Sequence, residues 1–264
     1  MSIPSFIVDA FTQQPFSGNP AAVCLLDRPR DNAWLQAVAA EFNLSETAFL
    51  LPLGQDQWQL SWFTPVVEVD LCGHATLASA HVLWRETGET APVLRFSTRS
   101  GELRAKLQGD QIELDFPIDR PRPLGLKLRW DAMLGAEAVT VMQGRDDILV
   151  QLESEEQVRD LKPDMNAIAQ LFSRGVMVTA RSTDSDTDFV SRFFAPAAGI
   201  NEDPVTGSAH CLLGPFWSDI LGKTRMRARQ LSSRGGELDV ELQGDRVLLR
   251  GHATTTLKGQ LHVD

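Results

Sequence analysis

Short apolar strands and apolar-faced helices follow one another along the 264 residues of this chain, and their order occurs twice. Phe6-Ile7-Val8-Asp9-Ala10-Phe11 predicts a strand, residues 13–20 a turn-rich loop, and Ala22-Val23-Cys24-Leu25-Leu26 a second, buried strand. Asp31-Asn32 supplies an N-cap for a helix through Phe42, with Trp34, Leu35, Val38 and Phe42 on one face and Asn43 as its stop. Residues 45–51 and 59–63 predict the next strands. Residues 75–84 are apolar nearly all round, the pattern of a helix swallowed by its own domain, and a Gly-centred hairpin spans residues 101–116. Pro117, Pro121 and Pro123 mark a linker. Beyond it come strands at 139–142 and 148–152, helical residues on to Phe172, strands at 176–179 and 189–194, a glycine-led helix and a closing hairpin.

The two halves match in detail. Gly101-Glu102-Leu103-Arg104-Ala105-Lys106-Leu107-Gln108-Gly109-Asp110 aligns with Gly236-Glu237-Leu238-Asp239-Val240-Glu241-Leu242-Gln243-Gly244-Asp245 at an offset of 135 residues. Gly73 and Gly207 are offset by 134 residues, and Pro65 and Pro196 by 131. A nearly constant offset across several elements points to one duplication with small loop insertions. The expected fold is α+β: two similar domains, residues 1–117 and 118–264, related by a pseudo-two-fold axis. Each is a curved, mostly antiparallel sheet wrapped around a central apolar helix, with the last strand free to cross back to the first domain. A cleft shared by such domains is a favoured place for a small molecule.

In each half an aromatic strand ends in Phe-x-Pro, and a short loop then leads to the glycine that opens the apolar helix. These are Phe63-Thr64-Pro65 with Cys72-Gly73-His74-Ala75-Thr76, and Phe194-Ala195-Pro196 with Asp203-Pro204-Val205-Thr206-Gly207-Ser208-Ala209-His210. Helix N-termini of this kind, face to face, would hold an anion.

Composition narrows the chemistry. A net charge of -10 argues against nucleic-acid or anionic-membrane partners, and the N-terminus Met1-Ser2-Ile3-Pro4 carries no signal-peptide or membrane-span pattern. Three cysteines without CxxC spacing fit reduced thiols in the cytoplasm. There is no tyrosine, so proton transfer falls to Glu, Asp, His, Cys or Lys.

Glu46 stands in an otherwise uncharged strand, either solvated at an edge or facing a partly dry cavity where desolvation would fit it for acid/base work. His74 follows Gly73 at a helix start and is either structural or a donor toward substrate; His81 reads as core or lining. Asp203 either caps the following helix or, like Asp70 in the first half, lies by the anion site. Ser208 follows Gly207 as His74 follows Gly73. Cys72 is a candidate nucleophile or thiol base, but its repeat partner is Thr206, and Cys211 comes too late in the turn to replace it. A two-thiol racemase is thereby disfavoured. No Gly-x-Ser-x-Gly elbow, metal-ligand motif or dinucleotide fingerprint occurs, so neither a metal nor a dinucleotide is implied.

With these residues assembled, the chain resembles the PhzF-like isomerases of phenazine biosynthesis, relatives of diaminopimelate epimerase. The likeness rests on Asp9-Ala10-Phe11, Gly18-Asn19-Pro20-Ala21-Ala22-Val23, Leu44-Ser45-Glu46-Thr47-Ala48-Phe49, Gly73-His74-Ala75-Thr76-Leu77 and residues 202–210. It implies cofactor-free isomerisation of a small cyclic amino-carboxylate, with trans-2,3-dihydro-3-hydroxyanthranilate as the type substrate. Glu46 would shuttle the proton with help from His74 and Asp203, while Asn19, Gly73, Gly207 and Ser208 would bind substrate. A homodimer is compatible with it. The alternatives are a racemase or epimerase using Cys72 against Glu46 or Asp203, and a non-catalytic small-molecule-binding protein.

Overall fold

The structure, a computed structural model, describes residues 2–54, 56–125 and 128–262; Met1 of the N-terminal stretch lies outside them. The chain divides into two compact units, Met1–Asp115 with Arg250–Asp264, and Phe116–Leu249.

The first unit contains β1 (Ser2–Ala10), β2 (Asn19–Leu25), α1 (Asn32–Phe42), β3 (Glu46–Gly54), β4 (Gln57–Phe63), β5 (Glu68–Val69), α2 (Gly73–Glu86), β6 (Val93–Thr98), β7 (Gly101–Gln108) and β8 (Gln111–Pro117). The second holds β9 (Arg122–Pro123), α3 (Trp130–Leu134), β10 (Thr140–Gln143), β11 (Asp147–Gln151), α4 (Glu155–Asp160), α5 (Met165–Ala169), β12 (Gly175–Arg181), β13 (Phe189–Ala195), β14 (Ile200–Asp203), α6 (Gly207–Leu221), β15 (Arg225–Gln230), β16 (Gly236–Gln243) and β17 (Arg246–Gly251). A last strand, β18 (Ala253–His262), returns to the first unit and pairs antiparallel with β1.

Strand pairing repeats like the sequence. In the first unit β1–β2 is antiparallel, β2–β3 parallel, β3–β4 antiparallel and β4–β6 parallel. In the second, β10–β11, β11–β12, β12–β13 and β13–β15 follow the same sequence of directions. Even the outer neighbour has a counterpart, since β9 lies antiparallel to β10 as β18 does to β1. Among these pairings, each unit thus combines antiparallel neighbours with two parallel pairs.

Each sheet packs on its glycine-led helix. α2 touches β1, β2, β3, β7 and β18 and buries Leu77, Ala78, Val82 and Leu83 completely, the outcome its all-round apolar pattern predicts. α6 touches β11, β15 and β16 and carries Pro215 in its interior. Proline has no N–H to offer the carbonyl four residues back. That carbonyl, of Cys211, accepts instead from Asp119 N at 3.0 Å.

α1 begins and ends where its sequence indicates. Asp31 accepts from Trp34 N at 2.8 Å, and Asn43 takes a left-handed conformation at φ 50. The helical stretch expected as far as Phe172 is instead the two short helices α4 and α5. Pro163 between them disfavours helical geometry in the residue before it and supplies no amide.

Candidate active site

The loop between β1 and β2 determines where Asn19 points. It is tight: Phe11 and Phe16 have φ of 63 and 69, and buried Asp9 accepts from Phe16 N at 2.7 Å. Gly18 has φ +66, and a Cβ there would lie 2.2 Å from Ala10 O, so glycine is required for the turn into β2. Asn19 follows, fully buried. Parallel pairing of β2 with β3 sets Glu46 beside Ala21 at the head of the next strand. α2 then opens at Gly73, with Cys72 as an N-cap that makes no side-chain cap bond to the first-turn amides.

Three backbone elements therefore bring Asn19, Glu46, Cys72 and His74 together. Glu46 Oε2 lies 3.3 Å from His74 Nε2, and the two side chains are 14% and 6% exposed, so Glu46 is not a solvated edge residue. Asn19 Nδ2 is 3.2 Å from His74 Nδ1, and Cys72 Sγ is 3.5 Å from the same nitrogen. An amide NH₂ can only donate, so His74 Nδ1 is the acceptor and the ring proton sits on Nε2. Burial pushes the His74 imidazole down to about 3. At neutral pH the ring is uncharged, and its contact with Glu46 is not an ion pair. His74 Nε2 itself has no hydrogen-bond partner among the described residues. The geometry is that of a neutral N–H donor and a carboxylate side by side.

Glu46, Cys72 and His74 also form a group whose ligand atoms lie within 4.8 Å of one another. Glu46 approaches Nε2 and Cys72 approaches Nδ1, however, so the carboxylate and thiol face different nitrogens of one ring. One ion could bond all three only after a side chain moved.

His81 ties α2 to β18 through Thr255 Oγ1 at 3.0 Å, and burial lowers its ring to about 4. Asp70 is exposed and paired with Arg99 at 3.3 Å.

The remaining candidates belong to the second unit. Asp203 ends β14, and Thr206 rather than Asp203 occupies the N-cap of α6. Of the two readings of Asp203, the helix cap does not hold; its Oδ2 accepts from Thr206 Oγ1 at 2.5 Å. Gln230, fully buried, holds this loop. Its Oε1 accepts from Thr206 N at 2.9 Å, while its Nε2 donates to Asp203 O at 2.7 Å and Thr206 Oγ1 at 3.2 Å. Gly207 and Ser208 form the first turn of α6, and Ser208 Oγ accepts from Arg174 Nη2 at 2.9 Å. Cys211 is buried, which pushes its thiol up to about 12. Gln230 and Arg174 belong to no motif, and only the fold shows that they reach α6.

The family model described as phenazine biosynthesis-like protein matches residues 8–259. An uncharacterised isomerase of Halalkalibacterium halodurans is 50% identical over 263 residues, 99% of each chain. The crystal structure of a PhzF-family phenazine biosynthesis protein from Enterococcus faecalis superposes with a TM-score of 0.95 at 42% identity, covering 100% of both chains. A probable proline racemase from Agrobacterium radiobacter shares the fold alone, with a TM-score of 0.66 at 14% identity over 99% of this chain and 93% of its own. No helix among the described residues is long and apolar enough to cross a membrane.

Proposed function

Since the chain belongs to the phenazine biosynthesis-like protein family and is an isomerase, we propose that it moves a proton between carbons of a small cyclic amino-carboxylate without a cofactor. The type substrate implied by the resemblance is trans-2,3-dihydro-3-hydroxyanthranilate. The observation that carries this reading is the 3.3 Å approach of Glu46 Oε2 to the Nε2 edge of His74, whose ring burial keeps neutral.

In this reading the Glu46 carboxylate takes a proton from one ring carbon, and the electron pair left behind spreads into the conjugated system. The Nε2–H of His74 donates to the oxygen or nitrogen on which negative charge builds, without itself ionising. The resulting Glu46 carboxylic acid returns the proton to a second carbon. Nothing is oxidised or reduced, and the carboxylate is restored. Asn19 holds the His74 tautomer and contributes to binding. The first-turn amides at Gly73, and separately those at Gly207 and Ser208 with the Ser208 hydroxyl, are ligands for a substrate carboxylate. Asp203 has the assisting proton-transfer role that the resemblance implies.

Glu46→Gln keeps the shape of the side chain and removes its basicity. It should abolish isomerisation and solvent-deuterium incorporation into trans-2,3-dihydro-3-hydroxyanthranilate while leaving ligand binding nearly intact. Asp203→Asn should slow turnover in the same assay. Full deuterium exchange in the glutamine variant sinks the assignment of Glu46.

A further inference from the structure

The guanidinium of Arg174 is fixed from three sides. Its Nε donates to Asp147 Oδ1 at 2.9 Å, and Nη2 bonds Asp147 Oδ2, closing a two-point clamp. Asp147 is buried, with a side chain only 6% exposed, so this partner is anchored in the unit. The third contact is a ring face, since Arg174 Cζ lies 5.5 Å from the centroid of Phe193. Held in this way, Nη2 also reaches Ser208 Oγ at 2.9 Å.

The direction of that last bond matters. A serine hydroxyl carries one proton and accepts through its lone pairs. With Arg174 filling an acceptor site, the Ser208 proton is left for another acceptor, and a neighbouring positive charge makes the hydroxyl a better donor. Among the described residues the Ser208 hydroxyl has no second hydrogen-bond partner, and Arg174 Nη1 has none at all. An unassisted hydroxyl would donate to acid and amide alike; one polarised by the bond it accepts from a guanidinium, even one paired with Asp147, favours the negatively charged partner.

We infer that Arg174 is a positioning residue: clamped on Asp147, it aims and polarises the Ser208 hydroxyl so that the site selects a carboxylate over an uncharged carbonyl. This deepens, and rests on, the reading of Ser208 as a carboxylate ligand. Lysine could not reproduce the effect, because a single ammonium cannot present the planar fork that joins Asp147 and Ser208.

The test is a binding comparison of 2-aminobenzoate with 2-aminobenzamide, two probes that differ in the charge of the group Ser208 would meet. It uses wild type, Arg174→Lys, Ser208→Ala and the double variant, each shown to be folded by its thermal transition. Wild type should prefer the acid. Arg174→Lys should weaken acid binding about tenfold, the size of one charge-assisted hydrogen bond, and leave amide binding unchanged. In the Ser208→Ala background the same substitution should have less than about a twofold effect, because Arg174 acts through Ser208. A merely structural arginine would weaken both probes equally, or act equally in both backgrounds. Either result overturns the inference, as does a wild-type protein that binds the acid no better than the amide. Deuterium exchange retained by Glu46→Gln would instead overturn the acid/base assignment and leave a measured acid preference standing.

Discussion

Acidification is the perturbation that most directly tests the neutral imidazole beside Glu46. His74 is held at about 3 by burial against an ordinary value of 6.5. Its folded-state value is therefore depressed, so its contribution to stability is whole above about 6.5 and is lost as pH falls toward 3. Between those limits the unfolded chain takes up a proton that the native protein refuses. The loss approaches about 1.4 kcal/mol per pH unit, which amounts to about 2 kcal/mol between pH 7 and pH 5. His210, lowered to about 4 by burial, adds a loss of similar size. Urea unfolding of wild type and His74→Gln at both pH values isolates the His74 share, because the variant's own stability change cancels in the difference. The glutamine variant should be less acid-sensitive by about 2 kcal/mol. A titration of the histidine ring signals by NMR supplies the second reading, with the His74 signal unchanged down to about pH 5. Equal acid sensitivity of the two proteins within about 0.5 kcal/mol, or a His74 midpoint near 6.5, would refute the neutral donor.

Cys72→Ala removes the thiol 3.5 Å from His74 Nδ1 but neither Asn19 nor Glu46; turnover should stay within about twofold of wild type, and its collapse would favour a racemase that uses the thiol as a base. Gly18→Ala should cost about 2 kcal/mol or more and lower the melting temperature, since its φ is +66 and the new Cβ would meet Ala10 O. An unchanged melting temperature would show that the loop before Asn19 relaxes.

The architecture is legible in the sequence because duplication doubles every signal. The repeated Gly-Glu-Leu hairpins and glycine-led helices agree with the paired sheet order, and the Asp31 cap and Asn43 stop fall where the helix begins and ends. The strand Arg225-Met226-Arg227-Ala228-Arg229-Gln230 escapes a reading led by glycines and prolines, although its buried and less buried positions alternate. Burial of Glu46 is beyond the sequence. A single carboxylate in an apolar strand fits either side of a sheet, and the parallel partner β2 and the start of α2 decide which. Arg174 is hidden for a related reason: it lies 34 residues from Ser208, and an arginine before a strand looks like any exposed charge.

The return of β18 to β1 has a consequence for biosynthesis. Residue 2 lies opposite residue 262, and the pairing continues to Ala10 opposite Ala253. During translation the first unit must wait, with one flank of β1 unclaimed, until residues 253–262 have emerged from the ribosome. The corresponding strand of the second unit, β10, has its outer neighbour β9 upstream of it and faces no such delay. The half made first is therefore the half completed last, and shielding β1 in the interval is a task for chaperones or for the nascent chain itself.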